Sequence, residues 1–140
     1  MLCQIILTGR LTRDPELQRT QSDIAYATFS VAVDRDRVSA NGERATDFFD
    51  IIAWRVKGEF VAKHFGKGDC ITVAGRMQQN RWTDADGVKR TKYVVVAENV
   101  YFTGDKRNRN GDAALENTRT EYETAQAEGD EYLDEGDLPF

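Results

Sequence analysis

From Cys3 to Phe102 apolar residues recur at every second position over long stretches, and this period of two commits the chain to half-buried strands. Cys3, Ile5, Leu7, Gly9 and Leu11 fall on one side of a first strand, and Ala25, Ala27, Phe29, Val31 and Val33 on one side of a second. Phe48 to Arg55 reads as a third strand, apolar on both sides; Asp69 to Trp82 reads as a fourth, and Lys89 to Phe102 as a Val-rich fifth. Asp14-Pro15, Asn41-Gly42 and Asp84-Ala85-Asp86-Gly87 supply the turn residues that such strands need. One segment departs from the period. Within Lys57 to Phe65, the residues Phe60, Val61, His64 and Phe65 recur at spacings of three and four, which predicts one helical face, and Gly66-Lys67-Gly68 is the expected stop. Five strands with a short helix between the third and fourth is the order of an all-β, five-stranded OB-fold barrel, expected over residues 1–104.

Beyond Gly104 the alternation stops. Residues 111–135 contain no Val, Ile, Met, Trp or Cys. So little apolar surface does not offset a chain entropy of about 1–2 kcal/mol per residue. The expectation is a disordered acidic linker over residues 105–134 and a separate tip over 135–140, where Leu138, Pro139 and Phe140 cluster behind acids.

Charge divides at the same place. Residues 1–110 hold 18 Lys plus Arg against 14 Asp plus Glu, a balance of +4, whereas residues 111–140 hold Arg119 against ten acids, a balance of −9. The overall −5 therefore belongs to the tail and does not argue against a nucleic-acid partner for the barrel. No stretch approaches the roughly 20 apolar residues of a membrane span, and no basic leader precedes an apolar run, so a soluble intracellular protein is expected. Cys3 and Cys70 lie in apolar runs without CxxC spacing and are expected to be buried, reduced thiols.

Catalytic signatures are missing. His64 is the sole histidine and sits on the predicted helix; no GxSxG, P-loop or HExxH motif occurs, and Asp84, Asp86 and Gly87 fit a hairpin turn better than a calcium loop. No enzyme, cofactor or metal is expected. Binding has more support. Alternation puts Phe48, Asp50, Ile52 and Trp54 on one face of the third strand and Phe49, Ile51 and Ala53 on the other. Arg76, Gln78, Asn80 and Trp82 share a face of the fourth, with Arg81 beside them and Lys89, Arg90 and Lys92 across the hairpin. Interleaved rings and cations suit single-stranded nucleic acid, because any base can stack on Trp or Phe, at about 1–3 kcal/mol each, while Lys and Arg follow the phosphates. Asp50 counts against this, since an acid near phosphates costs affinity. On pattern alone the other assignment stays open, with Phe48 and Trp54 in the barrel core and the charges only solvating an outer face.

Several segments in order resemble the bacterial and phage single-stranded DNA-binding proteins. They run from Ile6-Leu7-Thr8-Gly9-Arg10-Leu11-Thr12-Arg13-Asp14-Pro15-Glu16-Leu17 through Ala27-Thr28-Phe29-Ser30-Val31-Ala32-Val33 to Thr46-Asp47-Phe48. Ile52-Ala53-Trp54, Lys67-Gly68 and Val73-Ala74-Gly75-Arg76 complete the set. The resemblance implies an OB fold assembled as a homotetramer, with base-stacking by Phe48, Trp54 and Trp82. It also implies backbone contacts from Arg10, Arg76 and Arg81, with Lys89, Arg90 and Lys92 as further candidates, and a subunit-packing position for Phe49. Arg37 stands where many relatives place a stacking aromatic and is read as a phosphate contact; Cys3 replaces a usual Asn, and Asp23 a usual Gly. In the fifth strand the common aromatic-x-T-E-V run reads Thr91-Lys92-Tyr93-Val94-Val95.

The end of the chain is similar to the family's interaction tip. Asp134, Glu135 and Asp137 supply charge; Leu138, Pro139 and Phe140 supply an apolar end that a basic-rimmed partner pocket could capture. The function implied is sequence-tolerant binding and protection of single-stranded DNA in replication, recombination and repair, with partners recruited by the tip. The setting implied is cytoplasmic and nucleoid-associated in a bacterium, or a phage-infected cell. Two rivals stand beside it, a primosome-type or other protein-interaction scaffold with little DNA affinity, and an OB-based nuclease needing a carboxylate metal cluster.

Overall fold

A computed structural model describes residues 1–104; the expected linker over 105–134 and tip over 135–140 lie outside the described residues. The elements are β1 (Ile5–Leu11), β2 (Glu16–Arg19), β3 (Ala25–Val38), β4 (Arg44–Trp54), α1 (Arg55–His64), β5 (Cys70–Thr83) and β6 (Lys89–Phe102). Their sheet order is β1-β5-β6-β4-β3-β2, and β1 also pairs with β3, which closes five strands into a barrel. All pairings are antiparallel except β4 with β6, joined at Ile51–Val95 and Ile52–Val96.

Closure depends on two glycines. A Cβ on Gly9 would stand 2.2 Å from the Ala32 carbonyl oxygen, where β1 crosses onto β3, and one on Gly75 would stand 2.0 Å from the Val96 carbonyl oxygen, beside the β5–β6 bulge. Only a residue without a side chain lets the strands approach this closely. The alternating positions then deliver Leu7, Leu11, Phe29, Val31, Ile51, Ala53, Ile71, Val73 and Val95 to the interior. Full burial of a large apolar side chain such as Phe29 or Ile51 contributes about 1.5–3 kcal/mol.

The helix follows β4 without a linker and plugs the barrel with Phe60 and Val61, joined by Phe65 just beyond it. Lys63 and His64 stand in its last turn, where positive charge complements the helix dipole. Its end differs from the sequence expectation. Phe65 already has extended backbone, and the glycines build the following turn, with Gly68 at φ 86° and the Gly66 N–H donating to Asp69 Oδ2 at 2.8 Å.

Three further differences have physical causes. β2 was not expected, because its four residues Glu-Leu-Gln-Arg are all exposed and carry no alternation. It lies on the same edge of β3 as the end of β1, resuming the ladder at Glu16–Thr28 after Arg10–Ala32 and Leu11–Val31. β3 and β4 continue into an exposed arm held by polar side chains, with Arg35 donating twice to Asp47 at 2.8 Å and Thr46 to Asp34 at 2.6 Å. The two cysteines are unpaired thiols, but they are not buried as expected: Cys3 is exposed and Cys70 half-buried, because Cys3 precedes β1 and lies outside the barrel wall.

Candidate nucleic-acid interface

Strand register assigns the outer face. Directly paired residues point the same way, so Ala32–Phe48, Ser30–Asp50, Thr28–Ile52 and Tyr26–Trp54 lie on one side of β3 and β4. Through Ile52–Val96 that side continues onto β6 and, through Arg76–Val96, Gln78–Val94, Asn80–Lys92 and Trp82–Arg90, onto β5. One surface thus carries Phe48, Asp50, Arg76, Trp82, Arg90 and Lys92 together. Arg10 joins it across β3, since Arg10 pairs with Ala32 and Ala32 with Phe48.

The rings on this surface are not equivalent. Phe48 is 68% exposed and Trp82 is 47% exposed, but Trp54 is only 7% exposed. Trp54 packs on Tyr26 with ring centroids 5.2 Å apart and belongs to a second apolar cluster with Ile52, Val94 and Val96. The expected exposed face of β4 is therefore open at Phe48 and covered at Trp54, because Tyr26 of β3 and two valines of β6 close over its far end. The Trp54 Nε1 is buried with no hydrogen-bond partner.

The cations divide as well. Arg76, Arg90 and Lys92 share the face of Trp82, whereas Arg81 pairs with Thr91 and Lys89 with Thr83 on the opposite face of the β5–β6 hairpin. Arg81 there donates to Gln79 Oε1 at 2.9 Å, and Gln79 donates to the Tyr93 hydroxyl at 3.2 Å. Arg10 donates to the Gly68 carbonyl at 3.2 Å, and exposed Arg37 stands on the irregular stretch of β3 between Asp34 and Val38. Phe49 points inward, half-buried against the core, and shares an open apolar recess of about 370 Å³ with Met77, Tyr93 and Val95.

Trp82 is presented by a hairpin with an ordered tip. Asp84 Oδ1 accepts from the Asp86 and Val88 N–H groups, Gly87 supplies φ 77°, and Arg90 Nε donates to Asp84 Oδ2 at 2.8 Å. The Arg90 guanidinium first, and then the Val88 N–H, hold the Asp84 carboxyl below the usual carboxylate range. On the β3–β4 arm, hydrogen bonding from Arg35 lowers the Asp47 carboxyl in the same way.

A depression of about 260 Å³ between β2, β3, β4 and β6, floored by Phe29, Ile51, Ile52 and Val94, has no counterpart in the sequence pattern. Arg13, Gln18, Tyr26, Thr28, Asp50 and Lys92 line it. Tyr26 donates to Gln18 Oε1 at 2.6 Å, and Lys92 Nζ is 3.4 Å from Asp50 Oδ2. No local motif marks these residues, which come from four strands and the connection between β1 and β2. Among the described residues no group of three or more His, Cys, Asp or Glu could hold a metal ion, and no helix is long and apolar enough to cross a membrane.

The model of the Single-strand binding protein family matches residues 2–103. The chain is 42% identical over 108 residues to single-stranded DNA-binding protein 2 of Listeria monocytogenes, which covers 77% of this chain and 68% of that one. It is 34% identical to single-stranded DNA-binding protein 3 of Listeria innocua and 34% identical to the single-stranded DNA-binding protein of Staphylococcus aureus strain N315, in alignments spanning 100% of both chains in each case.

Proposed function

Since the chain belongs to the single-strand binding protein family, we propose that its outer face binds single-stranded DNA by stacking bases on Phe48 and Trp82 and drawing phosphates to the cations around them. The protein binds single-stranded DNA and is not an enzyme. The exposure of those two rings on one cation-bearing surface is the observation that carries the stacking assignment. Stacking tolerates every base because every base has a π-face, and it requires no ATP or metal. Arg10, Arg76 and Arg90 are the phosphate contacts on the face itself, with Lys92 beside Asp50, and Arg37, Arg81 and Lys89 are reached where the strand passes over the arm and the hairpin edge. Trp54 contributes chiefly as the support beneath the surface, and stacks only if its cover of Tyr26, Val94 and Val96 opens.

A homotetramer packed through the side bearing Phe49 would add cationic surface and lengthen the bound strand. Residues 134–140 would recruit replication, recombination and repair proteins through the acids and the Leu-Pro-Phe cluster. A cytoplasmic, nucleoid-associated setting, or a phage-infected cell, follows from that role.

Tryptophan fluorescence tests the stacking assignment. Saturating oligo(dT) should quench the intact protein, Trp82→Phe should remove most of the quench, and Trp54→Phe should leave most of it. An unquenched intact protein, or a quench that resides in Trp54, would overturn the assignment.

A further inference from the structure

We infer that the depression lined by Asp50 and Lys92 is a base-reading site that favours guanine, so that binding which is tolerant along the strand carries one preferred position. The inference rests on the single-stranded DNA reading and concerns residues to which that reading assigns no base selectivity.

Three observations converge. First, Asp50 is the only acid among the residues lining the depression, on a face otherwise equipped for phosphates. Its partner Lys92 approaches only to 3.4 Å, with the two side chains 50% and 54% exposed. An exposed pair of this kind contributes little to folding and yields readily to a better partner. Second, the volume of about 260 Å³ falls just below the roughly 300–1,000 Å³ of whole small-molecule sites, which suits a single base. Third, the site opens where β4 and β6 stop pairing, since their ladder is confined to Ile51–Val95 and Ile52–Val96. A base can therefore enter from the face that carries Phe48, and Arg13 on the lining can meet its phosphate.

The chemistry then selects among bases. A carboxylate accepts two parallel N–H groups in the same fork by which it pairs with arginine. Guanine alone presents two adjacent donors, N1–H and the N2 amino group, on its Watson–Crick edge, with O6 beside them as an acceptor for an ammonium. Thymine offers a single N3–H between two carbonyl oxygens that a carboxylate repels. Asp50 supplies the fork and Lys92 the donor to O6, and the residue that weakens phosphate attraction becomes the one that reads a base.

The test compares affinities of the full chain for oligo(dT), for an equally long strand in which isolated guanines replace some thymines, and for that strand with inosine in place of guanine. Isolated guanines avoid quadruplexes, and inosine keeps N1–H and O6 but lacks the N2 amino group. The intact protein should bind the guanine strand about tenfold tighter than oligo(dT), which is about 1.4 kcal/mol, and inosine should remove most of that gain. Asp50→Asn should bind oligo(dT) at least as well as the intact protein and lose the preference. Equal affinity of the intact protein for guanine and thymine strands, or a preference that survives in Asp50→Asn or with inosine, overturns the inference while single-strand binding stands. Failure to bind any of the three strands overturns the single-strand reading and the inference with it.

Discussion

Individual positions in this barrel are constrained in ways that differ by what the side chain meets. Gly9 and Gly75 are held by backbone carbonyls 2.2 and 2.0 Å from where a Cβ would be, and a backbone cannot turn aside as a rotamer can. Gly9→Ala should therefore force β1 away from β3 at the closure, at about 1–3 kcal/mol for overpacking. In a domain of this size each kcal/mol lowers Tm by roughly 4–8 °C. A thermal melt within a degree of the unmodified protein would show that the β1–β3 contact gives freely. Asp23 illustrates a milder constraint: its φ of 64° is a left-handed conformation that Asp tolerates better than most residues. Alternation placed Trp54 and Phe48 on one face of a strand but could not show that Tyr26, Ile52, Val94 and Val96 would cover only one of them.

Among the elements, the β5–β6 hairpin turns local chemistry into a functional geometry. Its tip depends on one carboxylate that accepts two backbone N–H groups and a guanidinium, and Arg90 thereby serves both the turn and the face of Trp82. Because the folded Asp84 carboxyl lies below its ordinary value, its contribution is complete above about pH 3.9 and is lost as pH falls through the lowered value. The Asp86 and Val88 amide resonances should therefore hold steady from neutrality down to about pH 5 and move only in stronger acid. Asp84→Asn should abolish that movement and speed amide exchange at the tip. Movement centred near neutrality would assign the order of the tip to another group. The turn itself was legible from Asp84 to Gly87, whereas β2 was not, because four exposed residues that only extend an existing ladder leave no period to read.

For the whole molecule, charge is distributed so that the two parts of the chain can compete. Residues 111–140 carry ten acids and one arginine, and residues 1–110 a balance of +4 that includes the face bearing Phe48 and Trp82. Removing residues 111–140 should tighten binding of oligo(dT) at low salt, with the gain shrinking toward physiological ionic strength, where the Debye length is about 8 Å. Removing only Phe140 should leave DNA affinity unchanged and abolish capture of partners that bind the tip. An affinity indifferent to the larger deletion at every salt concentration would separate the tail from the face bearing Phe48 and Trp82 altogether.

The sequence by itself determined the alternation of the five long strands, the place of the helix and the class of ligand. Each of these follows from near neighbours in the chain, through a period of two or through ordered motifs. Which outward residues are open was decided by long-range pairing. β6 and β3 close over Trp54 but leave Phe48 bare, and the parting of β4 from β6 opens the depression where Asp50 meets Lys92. A strand's own residues set which way its side chains point; only the strands packed beside it settle what they touch.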